Sequence, residues 1–333
     1  MLTHETNHNS FLSASKIQEV SHHTQLLKDW SLSYNQLTSG KFESYLNELN
    51  FEGIQLYEEK LTPSIFQRGT GKQDCLCLGM FSSLSEPAVW KGQNITGQEI
   101  IAVSHDEEIM LRTPQQSSFY ALSIPFSFLS ENHNDDFSLL KSEVKILSDE
   151  RLATALHAQF CALFSTILNQ PLSVAMKNSR KQIKSELTAL GIRYLDGLHT
   201  HHTQIKTSIK KANSVVKLSL EALENSQDQI LSVEDLCLLT HTSRRTLQNC
   251  FEQITGQSPA LFLKHVRLNT VKNILVQSPE PVTISNVAMD WGFWHLSQFA
   301  VDYKRLFGES PSQTLMSNQK FKHRFDQDGS FKH

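Results

Sequence analysis

Helix signals punctuate the C-terminal third of the chain so regularly that few folds remain open to it. Ser232, Ser243, Ser258, Thr283 and Ser310 each stand where a side-chain oxygen can cap a helix start. Gly256, Gly292 and Gly308 each stand where a helix can stop. Glu234 and Asp235 suit the N-terminal dipole of the helix after Ser232, and Pro259 and Pro311 occupy first helical positions. The spacing predicts two helix–short turn–helix units, about 232–255 and 283–307, on either side of one long helix over 259–277. In a helix-turn-helix the second helix enters the DNA major groove and its N-terminal residues meet base edges. In the first unit Leu247, Phe251 and Ile254 face inward, while Arg244, Arg245, Gln248 and Asn249 lie on or beside the outward face. Arg can bond guanine, and Gln or Asn adenine, in bidentate fashion. A helical bundle with a solvated Arg-rich face fits the same pattern, so spacing alone leaves both open.

Upstream the texture differs. Residues 1–40 are polar and rich in His and Ser, with a short helix expected over Lys16–Leu27 and fraying before it. From about Phe42 to Pro125 come short strand-like runs, at 51–61, 75–82, 99–104, 108–112 and 117–124, separated by turn clusters. They predict an antiparallel sandwich or small barrel. The period switches at Asp149. Leu152, Leu156, Phe160, Leu163, Phe164, Ile167 and Leu168 fall at i, i+4, i+8 spacing, which makes one broad apolar stripe on a helix that ends before Pro171. A second helix runs from about Ala175 to Leu190 and is expected to stop at Gly191; residues 198–204 read as a linker. The stripe either packs on the sheets or pairs with a second copy. Its width, against a small sheet domain, favours dimerisation through Leu152, Leu156, Phe160, Leu163, Phe164 and Ile167.

The formal charge is −3, which does not describe a strongly basic nucleic-acid binder, but it is unevenly spread. Residues 1–176 carry 11 basic and 20 acidic side chains, 177–217 carry 9 and 2, and 218–333 carry 11 and 12. The basic stretch, with Lys206, Lys210, Lys211 and Lys217, is either a solvated helix face or a phosphate-facing one. No signal sequence opens the chain, and the run over 152–168 is broken by His157 and Gln159, so neither export nor a membrane span is expected. Five cysteines fit reduced thiols in a cytoplasmic protein. Metal-enzyme chemistry is poorly served: only His105 and His133 occur between residues 40 and 135, and Cys75 and Cys77 lack a second pair. The HTHH run at 199–202 has ligand-like spacing in a linker, so no metal or other cofactor is expected. Trp90, Phe119 and Tyr120 either line an apolar pocket or fill the core. No phosphate loop, nucleophile elbow or carboxylate pair stands out, so an enzyme is not expected.

Residues 208–316 resemble the DNA-binding domain of AraC/XylS-type transcription regulators. The run SVEDLCLLTHTSRRTLQNCFEQITGQSPALFLKHVRLNTVKNIL is similar to its first half, and TISNVAMDWGFWHLSQFAVDYKRLFGESPSQTL to its second, with the framework GF(x)ₙF(x)₃YK(x)₂FGxSPS. The resemblance implies seven helices in two subdomains joined by the long helix. It places Arg245, Gln248 and Asn249 at base-contacting positions of the first recognition helix, and Leu296, Ser297, Gln298 and Val301 at those of the second. Ala300–Val301 stand where many members have Ser–Arg, which leaves the second helix fewer polar contacts; Lys304 and Arg305 remain for phosphates. AVWKGQNITGQEI and FYALSIP are similar to segments of ethanolamine-operon regulators, without implying their ligand.

The expected chain is therefore α+β: an N-terminal segment (1–39), a β-rich, cupin-like regulatory barrel (40–135), a helical dimerisation segment and linker (136–207), an all-α double helix-turn-helix domain (208–316), and a tail (317–333). The expected function is an effector-responsive, DNA-binding transcription regulator, activator or repressor, reading tandem half-sites. Double-stranded DNA, RNA polymerase, a second copy of the chain and a small-molecule effector are the expected partners. The alternative is a regulator whose first domain binds a partner protein instead.

Overall fold

The computed structural model describes residues 12–27, 29–103, 107–130, 145–147, 149–169, 177–200, 206–226, 230–278 and 281–317. Twelve strands among them form two sheets. The first has the order β1 (Leu12–Ile17), β3 (Ser44–Phe51), β4 (Ile54–Leu61), β11 (Ser117–Pro125), β6 (Cys75–Ser83), β9 (Ile100–Val103), β12 (Lys145–Ile146). The second has the order β2 (Ser31–Gln36), β5 (Ile65–Thr70), β10 (Glu108–Arg112), β7 (Ala88–Trp90), β8 (Gln93–Ile95). The pairings are antiparallel, as the short connections require. The ladders end at β1, β12, β2 and β8 and do not close into one ring.

Four layers result, and alternation along the strands explains them. On β6, Cys75, Cys77 and Phe81 face the space between the sheets, while Leu76, Leu78 and Met80 face away. Both faces are covered, which is why this strand reads as an almost unbroken apolar run. On the far side of the first sheet lie α3 (Glu150–Asn169) and α4 (Lys177–Thr200). On the far side of the second lie the C-terminal helices, against Phe66 and Met110. Phe119 and Tyr120 point to opposite faces of β11, so they share no pocket: Phe119 and Trp90 fill the space between the sheets, and Tyr120 packs on Phe164.

That arrangement corrects the dimerisation stripe. Leu156, Phe160 and Phe164 are 0% exposed and Ile167 is 2%, all packed in the chain's own core against the first sheet. Leu152 and Leu163 are half-buried beside them. Seven strands offer more area than the sequence suggested, and the stripe covers it. This helix is long and apolar enough to cross a membrane by length and composition, but its apolar face is spent on the sheet. The second helix also does not stop at Gly191. It runs on to Thr200; a Cβ at Gly191 would stand 2.9 Å from Ile124 Cδ1, so the glycine serves close packing, not termination. The N-terminal region is likewise more ordered than its composition implies. It supplies β1, α1 (Val20–Leu26) and β2, and its expected helix is limited to α1. Residues 1–11, His105, His133, the rest of the HTHH run after Thr200, and the tail after 317 lie outside the described residues.

The interior between the sheets is not wholly apolar. His23 of α1 is fully buried, with Nε2 2.5 Å from Glu59 Oε1 and Nδ1 2.8 Å from the Ser44 hydroxyl. Gln67 donates to the second Glu59 oxygen at 3.2 Å. Burial, followed by the charge of Glu59, pushes the phenol of Tyr34 well above its ordinary value. Cys77, on the same side, is pushed up to about 12 by burial, which leaves it an inert thiol.

The C-terminal helices seat on the second sheet through α8 (Pro259–Gln277). Asn269 accepts from the Gln36 backbone N–H at 3.0 Å and donates to the Gln36 carbonyl at 3.1 Å, satisfying the edge of β2 as a neighbouring strand would. The Gln36 carboxamide donates to the carbonyls of Gly40 and Leu306, and Gln257 donates to that of Leu37. Phe66 packs edge-on against Phe262 with ring centres 5.3 Å apart. Buried Lys272 reaches both Glu19 (3.2 Å) and Glu309 (3.0 Å).

Phe160→Ala is expected to cost about 3–5 kcal/mol in urea unfolding, the range for emptying a fully packed aromatic site. A surface role for Phe160 would leave the unfolding midpoint unchanged.

Candidate nucleic-acid interface

Both helix–turn–helix units are built by the same backbone device. In the first, α6 (Val233–Leu239) turns into α7 (Arg244–Thr255). His241 adopts φ +50°, its N–H bonds to the Leu238 carbonyl, and the Thr242 N–H reaches back to Cys237 at 3.0 Å. In the second, α9 (Ile284–Asp290) turns into α10 (Leu296–Phe307). Gly292 adopts φ +78°, its N–H bonds to Met289, and the Phe293 N–H reaches back to Ala288 at 2.9 Å. Each is a left-handed residue closing the last turn of a helix with the paired 6→1 and 5→2 bonds. At the second, the positive φ favours glycine, and a Cβ would also stand 2.6 Å from Ile230 Cδ1.

The caps read from the sequence form. Ser243 accepts from the Thr246 N–H, Ser258 from Leu261 and Thr283 from Asn286. Ser232 and Asp235 cap reciprocally, and the Ser232 hydroxyl and N–H hold the Asp235 carboxyl below its usual value. Residues 311–317 form a last helix behind Ser310.

The first recognition helix α7 buries Leu247, Cys250, Phe251 and Ile254 and turns Arg244, Arg245 and Asn249 to solvent. Arg245 and Asn249 have no hydrogen-bond or ion-pair partner among the described residues, so their donors are free for a ligand. Two neighbours are engaged. Arg244 pairs with Glu234 of α6 at 2.7 Å, and the Gln248 carboxamide donates to Glu252 one turn on.

The second recognition helix α10 buries Phe299, Tyr303, Leu306 and Phe307. Leu296, Ser297, Gln298, Ala300, Val301, Lys304 and Arg305 are all exposed. Gln298 bonds to Asp302, which also pairs with Lys264 of α8 at 2.5 Å and stands 4.0 Å from Arg305; burial raises the Asp302 carboxyl, but Lys264, Gln298 and Arg305 together hold it below its usual value. Sequence reasoning did not single out Trp294, which stands 71% exposed in the turn before α10. Of the basic stretch, Lys206, Lys210, Lys211 and Lys217 are exposed, and Lys217 binds Glu108 of the second sheet at 3.4 Å.

Residues 236–317 match a family model described as a helix-turn-helix domain. The XylDLEGF operon transcriptional activator 2 of Pseudomonas putida is 33% identical over 106 residues, 32% of this chain and 68% of that protein. The chain belongs to the AraC/XylS family. Similarity also extends beyond the helical domain: the XylDLEGF operon transcriptional activator 1 of the same organism is 23% identical over 266 residues, 67% of this chain and 83% of that one. Among solved structures, the AraC-like transcriptional activator CuxR aligns over 84% of this chain and 100% of its own with a TM-score of 0.44 and 14% identity. As a member of the AraC/XylS family, the protein is a DNA-binding transcription regulator and not an enzyme.

The exposed pair Glu234–Arg244 sets a test. A carboxylate beside a guanidinium that faces DNA opposes binding, so, were Arg244 to face DNA, Glu234→Gln would tighten binding severalfold at low salt. Titration of a fluorescent duplex across salt concentrations checks this. The gain shrinks as salt rises, and equal affinities at low salt count against a DNA-facing Arg244.

Proposed function

We propose that this regulator is an effector-responsive activator that reads two consecutive major-groove segments, chiefly through the first recognition helix. The observation that carries the proposal is the free, exposed state of Arg245 and Asn249 at the N-terminal half of α7. Arg244 and Gln248 join them once Glu234 and Glu252 release them. Leu296, Ser297, Gln298 and Val301 present the second helix to the next segment, and Lys304 and Arg305 meet its phosphates. The 19-residue α8 spans about 28 Å at 1.5 Å per residue, which supports a placement roughly one DNA turn apart on one face.

In this reading residues 40–135, with the strands that precede them, form a cupin-like regulatory unit. Residues 136–207 join it to the seven-helix DNA-binding unit over 208–316. A small-molecule effector is kept over a partner protein because the first domains of this family often bind effectors; His23, Ser44, Glu59 and Gln67 form the buried polar set between the sheets. Activation, and with it contact with RNA polymerase in the cytoplasm, is supported by the relatives being transcriptional activators. A homodimer belongs to the same reading, formed by a surface other than the buried side of α3.

Arg245→Ala and Gln248→Ala are each expected to lose about 1–3 kcal/mol of specific binding and to relax preference at one or two base pairs. Replacing Lys304 and Arg305 together with Ala should weaken binding to all sequences alike and flatten the salt slope by up to ~2. A base-pair scan of an in-vitro-selected site checks both. Unchanged discrimination in the Arg245 and Gln248 variants would refute the assignment.

A further inference from the structure

The outward face of α10 is apolar toward its start and cationic toward its end. Two rows at i, i+4 spacing share that face: Leu296, Ala300 and Lys304, and beside them Ser297, Val301 and Arg305. Leu296 is 39% exposed, Val301 51% and Arg305 70%. Trp294, 71% exposed, flanks the same end from the preceding turn. Gln298 is held by Asp302, which leaves Ser297 as the short polar side chain near the helix start. The helix buries its opposite face through Phe299, Tyr303, Leu306 and Phe307, and leaves Leu296 partly and Ala300, Val301 and Trp294 openly exposed; large apolar side chains gathered at one exposed end of a helix mark something that binds them.

We propose that α10 reads thymine through its 5-methyl group, with Leu296 and Val301 as the specificity-determining side chains and Trp294 as an apolar wall beside them. This rests on the DNA-binding reading above and supplies the base class that its second unit recognises. Among the base edges of the major groove, thymine alone carries an apolar group, the C5 methyl, and small aliphatic side chains recognise it by contact. The charge pattern fits a duplex. An apolar strip would lie over base edges while Lys304 and Arg305, one turn further, reach the phosphate backbone. The first unit has the opposite chemistry, with Arg245 and Asn249 suited to hydrogen-bond readout, so the two half-sites are read by different physics.

The test uses the full chain and an in-vitro-selected duplex in which each thymidine is replaced in turn by deoxyuridine, which removes only the methyl group. Deoxyuridine in the half-site under α10 is expected to weaken binding about fourfold per methyl, the equivalent of ~0.8 kcal/mol for one buried carbon. Substitution in the half-site under α7 should leave affinity unchanged. Leu296→Ala and Val301→Ala, both at exposed positions, should weaken binding to the thymidine duplex and remove the difference between the two duplexes. Equal affinity for thymidine and deoxyuridine duplexes overturns the proposal, as does a selected half-site with no thymine under α10. So does a deoxyuridine penalty that survives unchanged in both variants. If Arg245→Ala still weakens specific binding in any of these cases, the DNA-binding reading stands and only the methyl readout falls.

Discussion

The carboxamide of Asn269, laid along the backbone of Gln36, is the contact on which the arrangement of this protein turns. The N–H and C=O of an edge strand must find partners. Here a side chain from the middle of α8 supplies both, at 3.0 and 3.1 Å. That fixes α8 against the second sheet, and α8 in turn carries everything C-terminal to it. Its first half packs Phe262 and Leu263 into the core shared with α7. Its second half packs Leu268, Val271 and Leu275 into the core shared with α9 and α10. A third side meets the sheet and α1 through Asn269 and Lys272. A helix covered on so many sides behaves as a strut, and the spacing of the two recognition helices is set by its length.

The same seat joins the two sheets to the C-terminal helices. Glu19, at the start of α1, holds Lys272 from outside, and His23, on the same short helix, meets Glu59 inside the sheets. Burial raises the Glu19 carboxyl above its ordinary value, with Lys272 opposing it. A change in the polar set around Glu59 therefore meets α8 through one seven-residue helix.

What the sequence disclosed follows from how local each signal is. Caps at Ser232, Ser243, Ser258 and Thr283 and stops at Gly256, Gly292 and Gly308 act within one turn, and they were legible residue by residue. The strand runs were legible because β6 and β11 are buried on both faces and so are mostly apolar, with only small serines among their buried residues. The stripe on α3 was legible as a stripe, but what covers it depends on a sheet assembled from segments more than a hundred residues apart. Gly191 shows the same limit: its local meaning is a stop, and its actual use is a close approach to Ile124. The pairs Arg244–Glu234 and Gln248–Glu252 lie within reach of sequence spacing and could have been found by asking which acids stand beside each proposed base contact. The His23–Glu59 and Asn269–Gln36 contacts could not, since 36 and 233 residues separate their partners.

The central claim is that one chain places both recognition helices on one face of a duplex, about one turn apart. Hydroxyl-radical footprinting of the full chain on an in-vitro-selected site measures this directly. The account predicts two protected segments, centred ~10 base pairs apart and on the same face. Protection of a single segment, or of two segments on opposite faces, would contradict it.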